Sequence, residues 1–103
     1  MEFHKLVRDK IPEMIKSQGE EAVIRILETD EYIECLEKKL DEETAEYHES
    51  KDIEELADIL EVVFALAEAR SCSKDELMSV YKAKNEKRGG FSKRIFLISK
   101  HEK

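Results

Sequence analysis

The spacing of residues between positions 33 and 47 constrains the fold most. A period of three and four residues there predicts one inward-facing side of an α-helix. The positions on this side are Ile33, Leu36, Leu40, Glu43 and Tyr47. Burying a carboxylate such as that of Glu43 is unfavourable unless a cation compensates its charge. We therefore expect Glu43 to be more than an ordinary surface acid.

Four acids form two pairs on neighbouring helical segments. Glu43 and Glu46 are three residues apart, and so are Glu55 and Asp58. Residues three apart on a helix lie on nearly the same face, and the short connection between the pairs predicts two antiparallel neighbouring helices. The four carboxylates would then converge as metal ligands. Oxygen ligands of this kind suit Mg²⁺, with Mn²⁺ as the alternative.

Two simpler explanations of these acids stay open. The chain has 25 acidic residues among 103, so pairs with this spacing also arise by chance on solvated faces. Asp52 and Glu55 also fit a capping box at the start of a helix. That alternative leaves Asp58 unexplained, and two pairs on adjacent apolar helices favour a metal site.

The composition predicts one all-α domain covering residues 1–103. One Pro, three Gly and 42% charged residues are typical of a helical bundle, here of about four helices. The predicted helices run from Pro12 to about Ser17, from Thr29 as N-cap to about Glu49, from about Lys51 to Arg70, and from a Ser73/Glu76 capping box to Gly89 and Gly90. Residues 23–27 read as a short strand or an extended connector, and as a strand they would pair with residues 95–98.

Charge and hydropathy exclude several kinds of partner. A net charge of −7 argues against nucleic-acid binding, because a phosphate backbone requires a basic surface. The longest apolar run, residues 62–67, is too short to span a bilayer, and the N-terminal residues do not resemble a signal peptide. Cys35 and Cys72 lack metal-ligand or redox spacing and are expected to be free thiols. We expect a cytoplasmic protein without a membrane partner.

The third predicted helix is apolar on nearly every side. Its apolar residues are Ile53, Leu56, Ala57, Ile59, Leu60, Val62, Val63, Phe64 and Leu66. Such a helix is either the centre of a bundle or part of a subunit interface. Because so few other helices are available to cover it, we expect a homodimer or a higher homo-oligomer.

Basic residues cluster at the end of the fourth predicted helix. Lys84 and Arg88 are one turn apart on one face, a geometry that can hold a polyphosphate while carboxylates bind its metal. Cations in a last helical turn also complement the helix dipole, and this alternative stays open. Arg8 and Lys10 belong to a second basic group before Pro12, and they are further candidates for substrate binding.

The acid pairs resemble the ExxE and ExxD signature of the all-α nucleoside triphosphate pyrophosphohydrolases, the superfamily of MazG, dimeric dUTPases and phosphoribosyl-ATP pyrophosphohydrolase. Three further segments, KLVRDKIPEMI, EELADILEVVFALA and KRGGFSKRIFL, resemble the small phosphoribosyl-ATP pyrophosphohydrolase-like branch. The resemblance extends from Lys5 to Leu97. It implies a MazG-like bundle and a magnesium-dependent cut between the α and β phosphates of a nucleotide, which gives a monophosphate and pyrophosphate.

The resemblance also implies roles for individual residues. The metal ligands would be Glu43, Glu46, Glu55 and Asp58, and the phosphate contacts would be Lys84 and Arg88. Glu42 and Glu54 are the candidates to orient or deprotonate the attacking water. Only eight residues separate Glu46 from Glu55, fewer than in typical MazG domains, so the resemblance does not identify the nucleotide.

Two non-enzymatic functions are alternatives. One is an acidic helical module that regulates or binds a partner and retains the metal site without turnover. The other is a calcium-binding structural protein, although the glycine-bearing loop of an EF-hand is missing. Competing catalytic arrangements are absent from the sequence, since it has no Walker-type loop and no recognisable Ser–His–Asp or Cys–His set.

Overall fold

The computed structural model describes residues 3–103 and contains four helices. They are α1 (Ile11–Ser17), α2 (Thr29–Ser50), α3 (Ile53–Ala69) and α4 (Lys74–Arg88). No strand occurs between residues 3 and 103. The predicted all-α class with about four helices is therefore confirmed. None of the helices in this part of the chain has the length and apolar content needed to cross a bilayer.

A two-residue connection joins α2 to α3. Lys51 adopts the left-handed conformation with φ +60°, and its N–H donates to the carbonyl oxygen of Tyr47 at 2.8 Å. Asp52 then caps α3, because its carboxylate accepts the N–H of Glu54 at 3.2 Å. The reversal is so short that α2 and α3 pack along each other, as the sequence predicted for neighbouring helices.

The capping box predicted for α4 is confirmed. The Ser73 hydroxyl accepts the N–H of Glu76, the Glu76 carboxylate accepts the N–H of Ser73, and both bonds are 3.1 Å long. Gly89 ends the helix with φ +79°, a conformation that favours glycine. Within residues 3–103, α4 packs against α3 and makes no packing contact with α2.

The strand pairing considered for residues 23–27 and 95–98 does not form in the described chain. Neither segment has regular secondary structure in the described chain, and Val23 and Ile98 are 93% and 88% exposed. High β-propensity produces a strand only where a neighbouring strand or packed layer is present, and neither segment has one. Thr29 is also the first residue of α2 and not its cap, because Glu28 occupies the cap position without a side-chain bond.

The single chain is less compact and exposes more surface than a folded monomer of its size. Its radius of gyration is 18.6 Å, whereas a compact chain of this length has about 13 Å. Its accessible surface is 9922 Å², compared with about 6,000 Å² for a folded monomer of this mass. Among residues 3–103, the apolar side chains classed as buried are Leu36 and Val62.

One exposed apolar row runs along α3. Ile53, Leu56 and Leu60 follow a spacing of three and four residues and are 74%, 42% and 51% exposed. We call these three residues the exposed α3 row. Such a spacing places them on one side of the helix, so α2 and α4 of the same chain leave this side of α3 uncovered.

Candidate metal centre

Three carboxylates meet where α2 packs against α3. One oxygen each from Glu43, Glu55 and Asp58 lies within 4.8 Å of the other two. Glu43 is only 7% exposed because it is on the inward face of α2, while Glu55 and Asp58 are half-buried one turn apart on α3. We call these three residues the carboxylate group. The sequence predicted that all four acids of the two pairs would converge; the structure brings three of them together, and Glu46 is not in the group.

Two oxygens of this group lack hydrogen-bond partners. Oε2 of Glu43 and Oε2 of Glu55 are buried, and no donor in the described chain reaches either of them. Leaving a buried acceptor unpaired costs about 1–3 kcal/mol, and folded proteins seldom do so without a functional reason. Hard oxygen donors in this number match the preference of Mg²⁺ or Mn²⁺, so the donor set fits a divalent cation.

The electrostatics of the carboxylate group also favour a cation. Burial raises the pKa of Glu43 from 4.5 to about 7, and the negative charge of Glu46 adds to this effect. Burial and the charge of Glu46 likewise raise the pKa of Glu55. A divalent cation favours the ionised form of such groups and displaces their protons. Cation binding at this site should therefore release protons near neutral pH.

Two basic side chains contact the carboxylate group. Nζ of Lys39 lies 3.7 Å from Oε1 of Glu43, and Nη2 of Arg8 donates to Oδ1 of Asp58 at 2.8 Å. Neither pairing was among the contacts predicted from the sequence. The sequence did contain a signal for the first pairing, because Lys39 precedes Glu43 by four residues on one helix and such residues are neighbours. It contained no signal for the second pairing, because Arg8 and Asp58 are 50 positions apart.

The other acids considered from sequence lie outside this group. Glu46 is exposed, but it is close enough for its charge to raise the pKa of Glu43. Both candidate bases, Glu42 and Glu54, are also exposed, and Oε1 of Glu42 is 3.9 Å from Nζ of Lys39. Glu55 belongs to the carboxylate group, whereas the cap of α3 is made by Asp52 and the N–H of Glu54.

The predicted phosphate-binding residues fall into two places. Lys84 and Arg88 line an open cavity of about 390 Å³ at the end of α4, together with Asn85, Gly89, Gly90 and Phe91. No hydrogen bond or ion pair in the described chain joins them to the carboxylate group. Lys10 is exposed at the start of α1. Of the four cations proposed from sequence, Arg8 is the one that contacts an acid of the group.

Comparison with known proteins leaves the family open. No family model and no solved structure matches this chain. A stretch of 41 residues is 58% identical to an uncharacterized protein of Mycolicibacterium smegmatis (strain ATCC 700084 / mc(2)155), and this stretch covers 40% of the present chain and 42% of that protein. The chain thus matches less than half the length of this relative.

Proposed function

We propose that this protein is a magnesium-dependent nucleotide pyrophosphohydrolase. Its reaction would cut the α–β phosphoanhydride of a nucleoside triphosphate or related nucleotide and release a monophosphate and pyrophosphate. The observation that carries the proposal is the carboxylate group, in which buried oxygens of Glu43 and Glu55 have no hydrogen-bond donor among the described residues. The resemblance of the acid pairs to the ExxE and ExxD signature supplies the reaction class.

The acids and cations of the proposed site would have different roles in such a reaction. Glu43, Glu55 and Asp58 would hold Mg²⁺, with Glu46 as a fourth carboxylate at the edge. When bound, the cation neutralises phosphate charge, which is the main requirement of phosphoryl transfer. Glu42 or Glu54 would orient or deprotonate the attacking water. Basic side chains would bind the polyphosphate through charge-assisted hydrogen bonds; these are Arg8, Lys10, Lys84 and Arg88.

The working form would be a homodimer or a larger homo-oligomer. The single chain exposes about 4,000 Å² more surface than a folded monomer of its size, and a permanent dimer buries about 1,000–2,500 Å² on each of its chains. The exposed α3 row supplies an apolar face for a second copy. Since no hydrogen bond or ion pair within residues 3–103 joins Lys84 or Arg88 to the carboxylate group, a second copy would bring such cations to it.

The cysteines bear on where the protein would act. Cys35 and Cys72 are both free thiols in the structure, as the sequence predicted. Free thiols persist in reducing compartments. We infer that the protein acts in the cytoplasm.

A metal-binding module without turnover is the second candidate. One observation favours it: Glu42 and Glu54, the two candidate bases, are exposed and outside the carboxylate group. Such a module would bind Mg²⁺ as the enzyme does but would leave nucleotides intact. Turnover is therefore the property that separates the two candidates.

Pyrophosphate release tests the proposal directly. The substrates would be standard, oxidised and deoxy nucleoside triphosphates and phosphoribosyl-ATP, each incubated with Mg²⁺ and with EDTA. Glu55→Gln should abolish release, whereas Glu49→Gln should not, because Glu49 is an exposed acid in the last turn of α2 outside the group. Magnesium binding without release from any substrate would support the non-catalytic module.

A further inference from the structure

Arg8 is a cation that the fold places directly on a proposed metal ligand. Its Nη2 donates to Oδ1 of Asp58 at 2.8 Å, although the two residues are 50 positions apart. Asp58 shares the carboxylate group with Glu43 and Glu55. A guanidinium therefore lies at the edge of the site where the proposed function needs a divalent cation.

The contact between Arg8 and Asp58 is held loosely. The side chains of Arg8 and Asp58 are 57% and 38% exposed, and an exposed ion pair contributes little to folding stability. The backbone beside it is better fixed, because the carbonyl oxygen of Arg8 accepts the N–H of Ile11 at 3.1 Å as the chain enters α1. Arg8 is thus anchored at its backbone, while its guanidinium can move to another nearby anion at little energetic penalty.

We propose that Arg8 makes the carboxylate group select a cation that carries phosphate over the bare cation. This inference rests on the proposed function, since it assigns a role towards the same metal. A guanidinium beside the site repels an incoming divalent ion. When that ion carries a di- or triphosphate, its interaction with Arg8 becomes attractive. The phosphate oxygens then accept charge-assisted hydrogen bonds from the N–H groups of Arg8 in a forked geometry. Arg8 is then a specificity residue for metal-bound polyphosphate.

Calorimetric titration of the full chain can measure both effects without turnover. The probes are Mg²⁺ alone and magnesium pyrophosphate, and the variants are Arg8→Gln and Arg8→Lys. Arg8→Gln should bind Mg²⁺ alone about threefold to fivefold more tightly, because a screened repulsion is removed. The same variant should bind magnesium pyrophosphate at least about tenfold more weakly, because a charged hydrogen-bond donor is lost. Arg8→Lys keeps the charge and should bind Mg²⁺ like the parent.

A matched control is available elsewhere in the chain. Arg25 forms a similar exposed pair with Glu31, with Nη2 2.6 Å from Oε2. Glu31 is 12 residues before Glu43 on α2, which is about 18 Å along the helix. Arg25→Gln therefore removes the same charge at a distance from the carboxylate group, and it should change neither affinity.

The outcomes separate this inference from the proposed function. Opposite changes in the two affinities of Arg8→Gln support a specificity role. Weaker binding of both probes would overturn it and make Arg8 a supporting partner of Asp58. Unchanged affinities would overturn it as well, and in both cases the proposed function would stand. A parent protein that binds neither Mg²⁺ nor magnesium pyrophosphate would overturn the proposed function together with this inference.

Discussion

Lys39 and Glu43 form a close pair on α2 that does not neutralise the carboxylate. Nζ of Lys39 is 3.7 Å from Oε1 of Glu43 and lowers the pKa of this carboxyl, but burial and the charge of Glu46 outweigh it, and the pKa is about 7. The other oxygen, Oε2, has no hydrogen-bond donor within residues 3–103. Burying Glu43 in this way lowers the stability of the metal-free fold, which is the pattern expected if the residue serves as a metal ligand.

The first prediction concerns the pH dependence of stability without metal. The folded-state pKa of Glu43 is raised from 4.5 to about 7, so the folded protein binds more protons than the unfolded chain in this interval. Its contribution to the free energy of unfolding is fully present below pH 4.5 and decreases as the pH rises to about 7. We expect a loss of about 1–3 kcal/mol over this interval, measured by urea unfolding in EDTA.

Glu43→Gln is the control for this pH dependence. Glutamine cannot ionise, so the decrease between pH 4.5 and 7 should largely disappear in the variant. The loss of stability at lower pH should remain, because Glu76 and Glu31 have lowered pKa values from the Ser73 cap and the Arg25 pair, and their contributions vanish as they become protonated. A parent whose stability rises steadily from pH 4.5 to 7 contradicts the prediction.

The parts of the structure that sequence predicted best depend on local signals. The Ser73/Glu76 box and the inward position of Glu43 follow from spacing within one helix. The Arg8–Asp58 contact depends on where the N-terminal segment lies against α3, which no local pattern encodes. The pairing of residues 23–27 with 95–98 was considered from propensity alone, and propensity does not supply a partner.

The second prediction is that Mg²⁺ stabilises the parent protein. A ligand that binds only the folded state adds about 1.4 kcal/mol at ten times its Kd. Glu55→Gln removes a ligand oxygen and a negative charge, so it should abolish hydrolysis and lose most of this gain. Without metal the same variant should be at least as stable as the parent, because repulsion within the carboxylate group falls. Thermal unfolding with Mg²⁺ and with EDTA measures both effects.

One outcome of this experiment would contradict the metal-site interpretation. If Mg²⁺ adds nothing to the melting temperature of the parent and Glu55→Gln melts earlier in EDTA, the acids act as structural partners and the metal-site interpretation fails. Glu49→Gln should match the parent in both conditions, since Glu49 lies outside the carboxylate group.

The third prediction tests whether Lys84 and Arg88 at the end of α4 bind phosphate or only complement the helix dipole. Lys84→Ala or Arg88→Ala should raise KM at least about tenfold, because each loses a charge-assisted phosphate contact of about 1.5–3 kcal/mol. Both side chains are exposed, so the fold should be retained. Lys82→Ala is the matched control, because Lys82 is exposed on the same helix but two residues away and on another face. If KM is unchanged in both Lys84→Ala and Arg88→Ala, these cations do not bind phosphate and only complement the helix dipole.

The fourth prediction is that the protein self-associates through the exposed α3 row. Light scattering at micromolar concentration should give at least twice the 12.1 kDa mass of one chain. Leu60 is 51% exposed, and Leu60→Glu would bury a charge in the proposed interface, so it should shift the mass towards the monomer. Gln18→Glu adds the same charge at the exposed end of α1 and should leave the mass unchanged. A monodisperse 12.1 kDa parent contradicts the prediction, and Lys84 and Arg88 of a second copy could then not complete the site.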